Sequence, residues 1–244
     1  MYIPFEWKRA ISDLIKVKGK VFLLGGSDTG KTTFAFALAV EAVSCGLKGG
    51  FVDADLGQSS IGPPCTIGSA ILSEKDISSD ISDNIIKHDG LYFVGDTSPY
   101  GHLLQIITGT RQLADEIEEL NPDLLIIDTS GLINGAMGQA LKYHKIISLN
   151  PDYIVALQRE DELYAILRSF SSYQKPLVKD LPVPVEVRKF SSETRAKFRK
   201  SKFESYFKNS NRIKIKISQI SFYPSFQDVL RRKEFENLII GLKD

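Results

Sequence analysis

A mostly parallel β-sheet flanked by helices is the fold this sequence predicts, and three observations predict it. Short apolar runs alternate with helix-length segments over the first 160 or so residues. The runs are apolar throughout, as strands covered on both faces are. They also end in a glycine or an aspartate (Gly25, Asp55, Gly95, Asp128), so the loops that follow leave C-terminal strand ends and converge on one crevice.

Taken in order, Trp7, Ala10, Ile11, Leu14 and Ile15 recur at helical spacing within 5–16. Val21-Phe22-Leu23-Leu24 reads as the first strand, 31–44 as an apolar helix, and Gly46 as its stop. Gly50-Phe51-Val52-Asp53-Ala54-Asp55 is a second strand ending in acids. The stretch 56–90 reads as irregular, with Gly62-Pro63-Pro64 and a Ser/Asp-rich part near 78–84. A strand at 91–95, a helix at 102–120, the run Leu124-Leu125-Ile126-Ile127 closed by Asp128, a helix near 136–148 and a strand at 153–157 continue the alternation. Residues 176–187, rich in proline and valine, predict a strand or extended connection, and 192–207 a basic helix. In 212–222, Ile213, Ile215 and Ile217 alternate with Lys214 and Lys216, as in a half-exposed strand. The expected organisation is one domain over 1–210, with 211–244 as a small C-terminal β appendage packed on it.

Gly25-Gly26-Ser27-Asp28-Thr29-Gly30-Lys31-Thr32 matches G-x-x-x-x-G-K-[ST], the phosphate-binding P-loop, and it lies between a strand and a helix as that motif requires. Backbone N–H groups of the loop and the helix N-terminus face phosphate there. Gly25 and Gly30 allow the loop its conformation. The nucleotide-binding set is therefore Gly25, Gly26, Ser27, Asp28, Thr29, Gly30, Lys31, Thr32 and Thr33. Lys31 reaches the β- and γ-phosphates, and the Thr32 hydroxyl holds Mg²⁺.

Composition narrows the setting. A net charge of +1 argues neither for nor against a polyanionic partner. Two cysteines, Cys45 and Cys65, build no disulfide framework, and no apolar run approaches the ~20 residues of a membrane span. No signal peptide opens the chain, so a soluble cytoplasmic protein is expected. His88, His102 and His144 show neither metal spacing nor a triad signature.

Phosphoryl transfer needs a metal, charge neutralisation and a group that orients the nucleophile. Asp53 and Asp55, two apart at a strand end, do not readily share one task. Asp55 begins the loop and is favoured for the crevice, against a turn-forming role. Asp128 fits a carboxylate that binds Mg²⁺-bound water, or equally a residue capping the next turn. In the basic helix Arg195, Arg199 and Lys202 fall at i, i+4 and i+7, either as a solvated face or as a cover for the γ-phosphate, with Phe198, Tyr206 and Phe203 available to dock it.

Five ordered motifs, the P-loop's own form among them, resemble the polynucleotide 5′-hydroxyl kinases, the P-loop family that includes the kinase subunit of the pre-messenger-RNA cleavage factor and archaeal RNA kinases. Asp28 gives the family's G-x-x-D-x-G-K-T form. Asp53-Ala54-Asp55-Leu56-Gly57-Gln58 is similar to its D-x-D-x-G-Q segment, and Gly95-Asp96-Thr97-Ser98-Pro99 to its G-x-x-S-P loop. Thr129-Ser130-Gly131 with Gly135, Gly138 and Leu141 follows its T-x-G-W-x-x-G pattern, and Arg195 through Tyr206-Phe207 its arginine-rich lid, near 190–207. Pro4 and Trp7 sit where archaeal members carry them.

The resemblance implies a P-loop NTPase fold with an arginine-bearing lid helix and transfer of the ATP γ-phosphate to a 5′-hydroxyl end of RNA or DNA. It implies Lys31, Asp55, Arg195 and Arg199 as catalytic residues and Thr32 and Asp55 at the metal. Gln58, Thr97, Ser98, Thr129 and Leu132 then hold the substrate. Leu132 stands where many members have a base-stacking tryptophan, and Lys202 where the lid has a third arginine; Tyr100 is an alternative aromatic. The match begins near the chain's first residues, without the N-terminal β-domain of larger members, so their partner-docking functions are not carried over. Two other classes compete: a nucleotide-dependent switch or assembly ATPase, and a small-molecule kinase. A catalytically dead ATP-binding scaffold fits poorly with intact Lys31, Thr32 and Asp55.

Overall fold

Continuous apolar runs need cover on both faces, and the chain supplies it by placing helices on either side of one sheet. The computed structural model describes residues 3–74, 88–211 and 214. The strands are β1 (Gly19–Gly25), β2 (Gly49–Ala54), β3 (Thr66–Leu72), β4 (Gly90–Phe93), β5 (Leu124–Thr129), β6 (Tyr153–Gln158) and β7 (Leu177–Pro182). Their order is β4-β3-β2-β5-β1-β6-β7. β2, β5, β1, β6 and β7 run parallel, whereas β3 pairs antiparallel with both β2 and β4.

The helices are α1 (Phe5–Val17), α2 (Lys31–Ser44), α3 (Leu103–Glu119), α4 (Gly135–Leu149), α5 (Tyr164–Arg168) and α6 (Ser192–Phe207). α1 buries Trp7, Ala10, Ile11 and Leu14, one stripe at i, i+3, i+4 and i+7. With α2 it covers the face formed by Val21, Leu23, Phe51, Leu124 and Ile126. α3, α4 and α5 cover the opposite face, formed by Phe22, Leu24, Val52, Leu125 and Ile127. Because side chains alternate along a strand, Asp128 shares the α2 side with Ile126, and Thr129 shares the α4 side with Ile127.

The predicted helices and parallel strands are found within a few residues of their expected bounds. The irregular reading of 56–90 is corrected: Thr66–Leu72 is a strand, buried along nearly its whole length. Its small residues concealed it, and they are there because the chain packs close. A Cβ on Gly68 would lie 2.4 Å from the Ile61 carbonyl oxygen. The short α5 also went unforeseen. The aromatic docking expected of α6 is corrected as well, since the helix buries none of its residues. Phe203 stacks on Phe207 at 6.4 Å and Tyr206 meets Phe207 edge-on at 5.0 Å, all within the helix itself. The expected strand at 212–222 and the appendage over 211–244 lie almost wholly outside the described residues.

Gly68→Ala pushes a methyl group against backbone that has no rotamer to yield. It should lower stability by about 1–3 kcal/mol, read as a fall in the denaturant midpoint with an unchanged slope; an unshifted midpoint would refute the close packing of β3 under Ile61.

Candidate functional site

The site grows from the C-terminal ends of three neighbouring parallel strands, β1, β5 and β2. β1 delivers the P-loop. Gly30 takes φ 84° as the N-cap of α2, leaving the helix's first N–H groups without a side-chain cap. Trp7 closes the loop from behind: its ring leaves only 2.7 Å for a Cβ at Gly30, and its Nε1 donates to the Pro182 carbonyl at 3.0 Å. Thr29 Oγ1 and Lys31 Nζ donate to the Gly26 carbonyl at 3.0 and 2.6 Å. Lys31 is buried, which draws its pKa down, while Asp128, Asp55 and Asp28 oppose that shift.

β5 supplies Asp128, whose Oδ2 accepts the Thr32 hydroxyl at 2.6 Å and whose Oδ1 accepts the Thr129 N–H at 2.8 Å. The carboxylate therefore orders the Thr32 hydroxyl of the P-loop and its own strand end. Burial raises its pKa, with Lys31 and the Thr32 hydroxyl pulling the other way. Thr32 and Asp128 are hard oxygen donors, and among the described residues no group of three or more His, Cys, Asp or Glu forms a metal cage. That combination suits Mg²⁺, which takes one or two protein oxygens and completes its shell with water and substrate phosphates. The hydroxyl expected beside Asp55 is therefore paired with Asp128 instead.

β2 ends in the two aspartates, and their tasks are divided. Asp53 is buried and accepts N–H groups from Asp55 at 3.0 Å and Ser60 at 2.5 Å, which folds the chain back beneath β2. Burial and the Asp128 charge push its pKa up to about 8, against those two donors. Asp55 is half-buried; its Oδ1 accepts from Gly57 and Gln58 at 3.0 and 3.1 Å, while Oδ2 takes no part in that turn. The Thr97 carbonyl would lie 3.2 Å from a Cβ on Gly57, so the 95–99 loop packs on the Asp55–Gln58 turn. Asp96 shapes that loop by accepting the Ser98 N–H at 2.8 Å. Gln58, Thr97 and Ser98 are half-buried along this second wall.

Two expected substrate residues stand elsewhere. Thr129 is fully buried on the α4 side, donating to the Leu23 carbonyl at 2.8 Å and accepting Lys142 Nζ at 2.7 Å. It ties β5 to β1 and α4 and is out of a substrate's reach. Leu132 is half-buried and packs onto the α3–α4 core. Gly131 meets the P-loop directly: a Cβ there would sit 2.5 Å from the Ser27 nitrogen.

Among the described residues, the P-loop side chain that reaches the lid helix α6 is Asp28. Asp28, at φ 54°, presents Oδ2 to Arg195 Nη2 at 2.5 Å and to the Phe190 N–H at 3.3 Å. Its carbonyl accepts Arg159 Nη2 at 2.6 Å. The Arg195 Nε is buried without a partner among the described residues, facing the P-loop side. Arg199, one turn on, acts on the opposite wall: it counters the rise that burial and Asp96 impose on the Cys65 thiol, which stands at about 11.

Sequence reasoning missed two further features. A cleft of about 410 Å³ beside the P-loop is lined by Gln158, Arg159, the 182–185 segment, Val187 and Lys189. Its signal was the proline- and valine-rich stretch, read only as a strand or extended connection. The second is a pair of lysines on the buried stripe of α4, Lys142 and Lys145, fully out of solvent. Burial, then Lys145 and Lys31, hold Lys142 well below the lysine range. Burial brings Lys145 to about 7 despite Asp55, Asp53 and Asp128. Two lysines among Leu141, Ile146 and Leu149 were the available clue.

Comparison with known proteins gives this arrangement relatives. Residues 25–209 match the family model described as mRNA cleavage and polyadenylation factor CLP1 P-loop. The chain is similar to a polyribonucleotide 5′-hydroxyl-kinase of Methanocaldococcus jannaschii, 42% identical over 193 residues, covering 78% of this chain and 51% of the relative. A polyribonucleotide 5′-hydroxyl-kinase of Pyrococcus furiosus is 36% identical over 216 residues, covering 88% and 58%. The chain thus spans about half the length of the curated relatives it matches. A solved structure of Clp1p in complex with Pcf11p superposes with a TM-score of 0.68 at 17% identity, over 86% of this chain and 55% of that one, which supports the fold.

Two outcomes follow from the electrostatics. Asp28→Ala removes the tether of α6, so limited proteolysis at the basic residues 188–202 should accelerate several-fold without nucleotide; an unchanged rate would show that the lid is held by other contacts. For Lys145, the folded pKa lies below the unfolded one, so its charge costs stability in full below about pH 7 and less as pH rises toward 10.5. Lys145→Met should therefore raise Tm most at pH 6, with the gain shrinking by pH 9. A gain that grows with pH reverses the sign and overturns the assignment.

Proposed function

The chain belongs to the CLP1 P-loop family, and from that premise we propose that it transfers the γ-phosphate of ATP to the 5′-hydroxyl end of a polynucleotide. RNA is the favoured acceptor, because the archaeal relatives are named as polyribonucleotide kinases. The observation that carries the reading is Asp55. Its carboxylate stands at the end of β2, within electrostatic reach of Lys31 and Asp128, while its turn forms a second wall with the 95–99 loop. A switch or assembly ATPase has no need of a carboxylate with one oxygen kept out of its own turn, or of a second wall beside it.

In this reading Gly25 to Thr33 wrap the triphosphate, and the cleft at Gln158, Arg159 and Val187 takes the nucleoside base. Lys31 leaves the Gly26 carbonyl to neutralise the β- and γ-phosphates. Thr32 and Asp128 would hold Mg²⁺, with Asp55 a further carboxylate for it; the ion, when bound, would screen the phosphates and orient them. Asp55 accepts the proton of the 5′-hydroxyl, whose oxygen then bonds to the γ-phosphorus. The bond between that phosphorus and the β–γ bridging oxygen breaks, and ADP departs with the electron pair. Gln58, Thr97 and Ser98 hold the acceptor's end, with Leu132 at its margin. Thr129 acts from beneath by fixing the strand that carries Asp128.

The lid arginines divide the work. Arg195 sits on the donor side, where it exchanges Asp28 for phosphate as ATP binds, and Arg199 reaches the acceptor side. Together they bring charge to the transferring phosphoryl group only when both substrates are seated.

The test is transfer of labelled γ-phosphate to a 5′-hydroxyl oligoribonucleotide, run beside a matching oligodeoxyribonucleotide, free nucleosides and water. Label should enter the oligonucleotide. Label appearing only as inorganic phosphate would favour the ATPase reading, and label on a nucleoside the small-molecule kinase. Asp55→Asn should cut transfer by about a hundredfold or more with ATP affinity nearly kept. Arg199→Ala should lower turnover by about tenfold or more with ATP affinity likewise kept; full turnover in either variant removes that residue from the reaction.

A further inference from the structure

Lys142 is expensive where it stands. Its amine is fully buried, and among the described residues it makes two hydrogen bonds, to the Thr129 hydroxyl oxygen at 2.7 Å and to the Ser130 carbonyl. Both acceptors are neutral, so no carboxylate pairs with it directly. The more distant Asp55 and Asp128 charges offset only part of the loss of hydration, a loss worth several kcal/mol for an isolated ion. The rest of the α4 stripe is Gly138, Leu141, Ile146 and Leu149. A methionine at 142 would fill the same space without that cost. Packing alone does not account for a lysine here.

Its two acceptors do. Thr129 follows Asp128 and gives its N–H to Asp128 Oδ1, while Asp128 Oδ2 takes the Thr32 hydroxyl. Ser130 precedes Gly131, which lies against Ser27 of the P-loop closely enough to exclude any Cβ. One amine therefore grips the two peptide units between the metal-side carboxylate and the contact with the phosphate loop. Were it absent, the buried Ser130 carbonyl and one lone pair of Thr129 would lose their donor. The strand end would then be free to drift by the few tenths of an ångström that octahedral Mg²⁺ tolerates poorly.

We propose that Lys142 is a positioning residue of the reaction site: reaching from α4, it sets the Asp128–Thr32 oxygen pair at the distance and angle that Mg²⁺ on a bound nucleotide requires. The assignment rests on the kinase reading for its consequence in turnover, and on the metal alone for its primary signal. Lys145, one turn along the same helix, adds a second buried amine behind the carboxylates.

The experiment titrates a fluorescent ATP analogue into the full chain with and without Mg²⁺, for the wild type, Lys142→Met and Lys142→Gln. The methionine keeps length and loses the donor; the glutamine keeps a donor and serves if the methionine variant does not fold. Metal-free affinity should stay within about twofold, while the Mg²⁺ concentration for half-maximal tight binding rises about tenfold to a hundredfold in Lys142→Met, as for other groups that orient a metal's ligands. Lys142→Gln should recover part of the loss. Turnover with a 5′-hydroxyl oligonucleotide should fall in parallel at an unchanged acceptor KM. An unaltered Mg²⁺ requirement overturns the proposal. So does an equal loss of metal-free and metal-dependent binding with a lowered melting point, because that is the mark of a merely structural lysine. A wild type that shows Mg²⁺-dependent binding but labels no oligonucleotide defeats the kinase reading alone, and the shift in Mg²⁺ requirement still judges Lys142.

Discussion

Ionisable groups that cannot all be solvated govern this molecule. Asp53, Asp55 and Asp128 end two adjacent strands, and Lys31, Lys142 and Lys145 come at them from α2 and α4, with most of the six buried. Each group alone would cost several kcal/mol out of water. Held together, they are balanced by one another and by backbone donors aimed at specific oxygens. Three loops of the site are fixed by these obligations: the P-loop by Lys31, the 129–131 segment by Lys142, the 55–60 turn by Asp53 and Asp55. On the proposed reading, a triphosphate with Mg²⁺ would enter a place where oppositely charged groups have already been desolvated, and so would find its partners oriented in advance.

The same economy explains how α6 is attached. A helix with no buried residue has no hydrophobic reason to lie where it does. Its hold is the Asp28 carboxylate, shared between Arg195 and the Phe190 N–H. Such a tether is strong against thermal motion and weak against a competing anion, because phosphate offers Arg195 more charge than a single carboxylate does. The P-loop aspartate thus occupies the arginine in a way that nucleotide can reverse. The spacing of Arg195 and Arg199 by one turn then lets a single helical movement address both walls.

Much of this was legible in the chain. The P-loop announced itself because phosphate binding demands glycine and lysine at fixed spacing between a strand and a helix, and the parallel order followed from apolar runs that do not alternate. The division between Asp53 and Asp55 was readable too, since only one of them opens the loop. What escaped were features fixed by contacts distant in sequence. β3 is built of small residues because Ile61 folds over it, and nothing local says so. Thr129 looked like a substrate contact because it sits in a motif, yet strand alternation turns it toward α4, away from Asp128. Lys142 and Lys145 drew no reading, since the stripe on which they lie is broken by polar neighbours and only the packing of α4 on the sheet reveals their burial.

With Thr129 buried on the α4 side and Leu132 half-buried against the α3–α4 core, the proposed acceptor would be read chiefly by other residues. The base of an incoming strand gains little from Leu132, which packs against the α3–α4 core. What remains on the acceptor side is polar and backbone-rich: the Asp55–Gln58 turn, the 95–99 loop leaning on Gly57, and Arg199 above them. Such groups read a terminal hydroxyl, its sugar and the neighbouring phosphate and have little purchase on base identity. On the proposed kinase reading, a site of this composition would select the chemistry of a strand's end rather than its sequence.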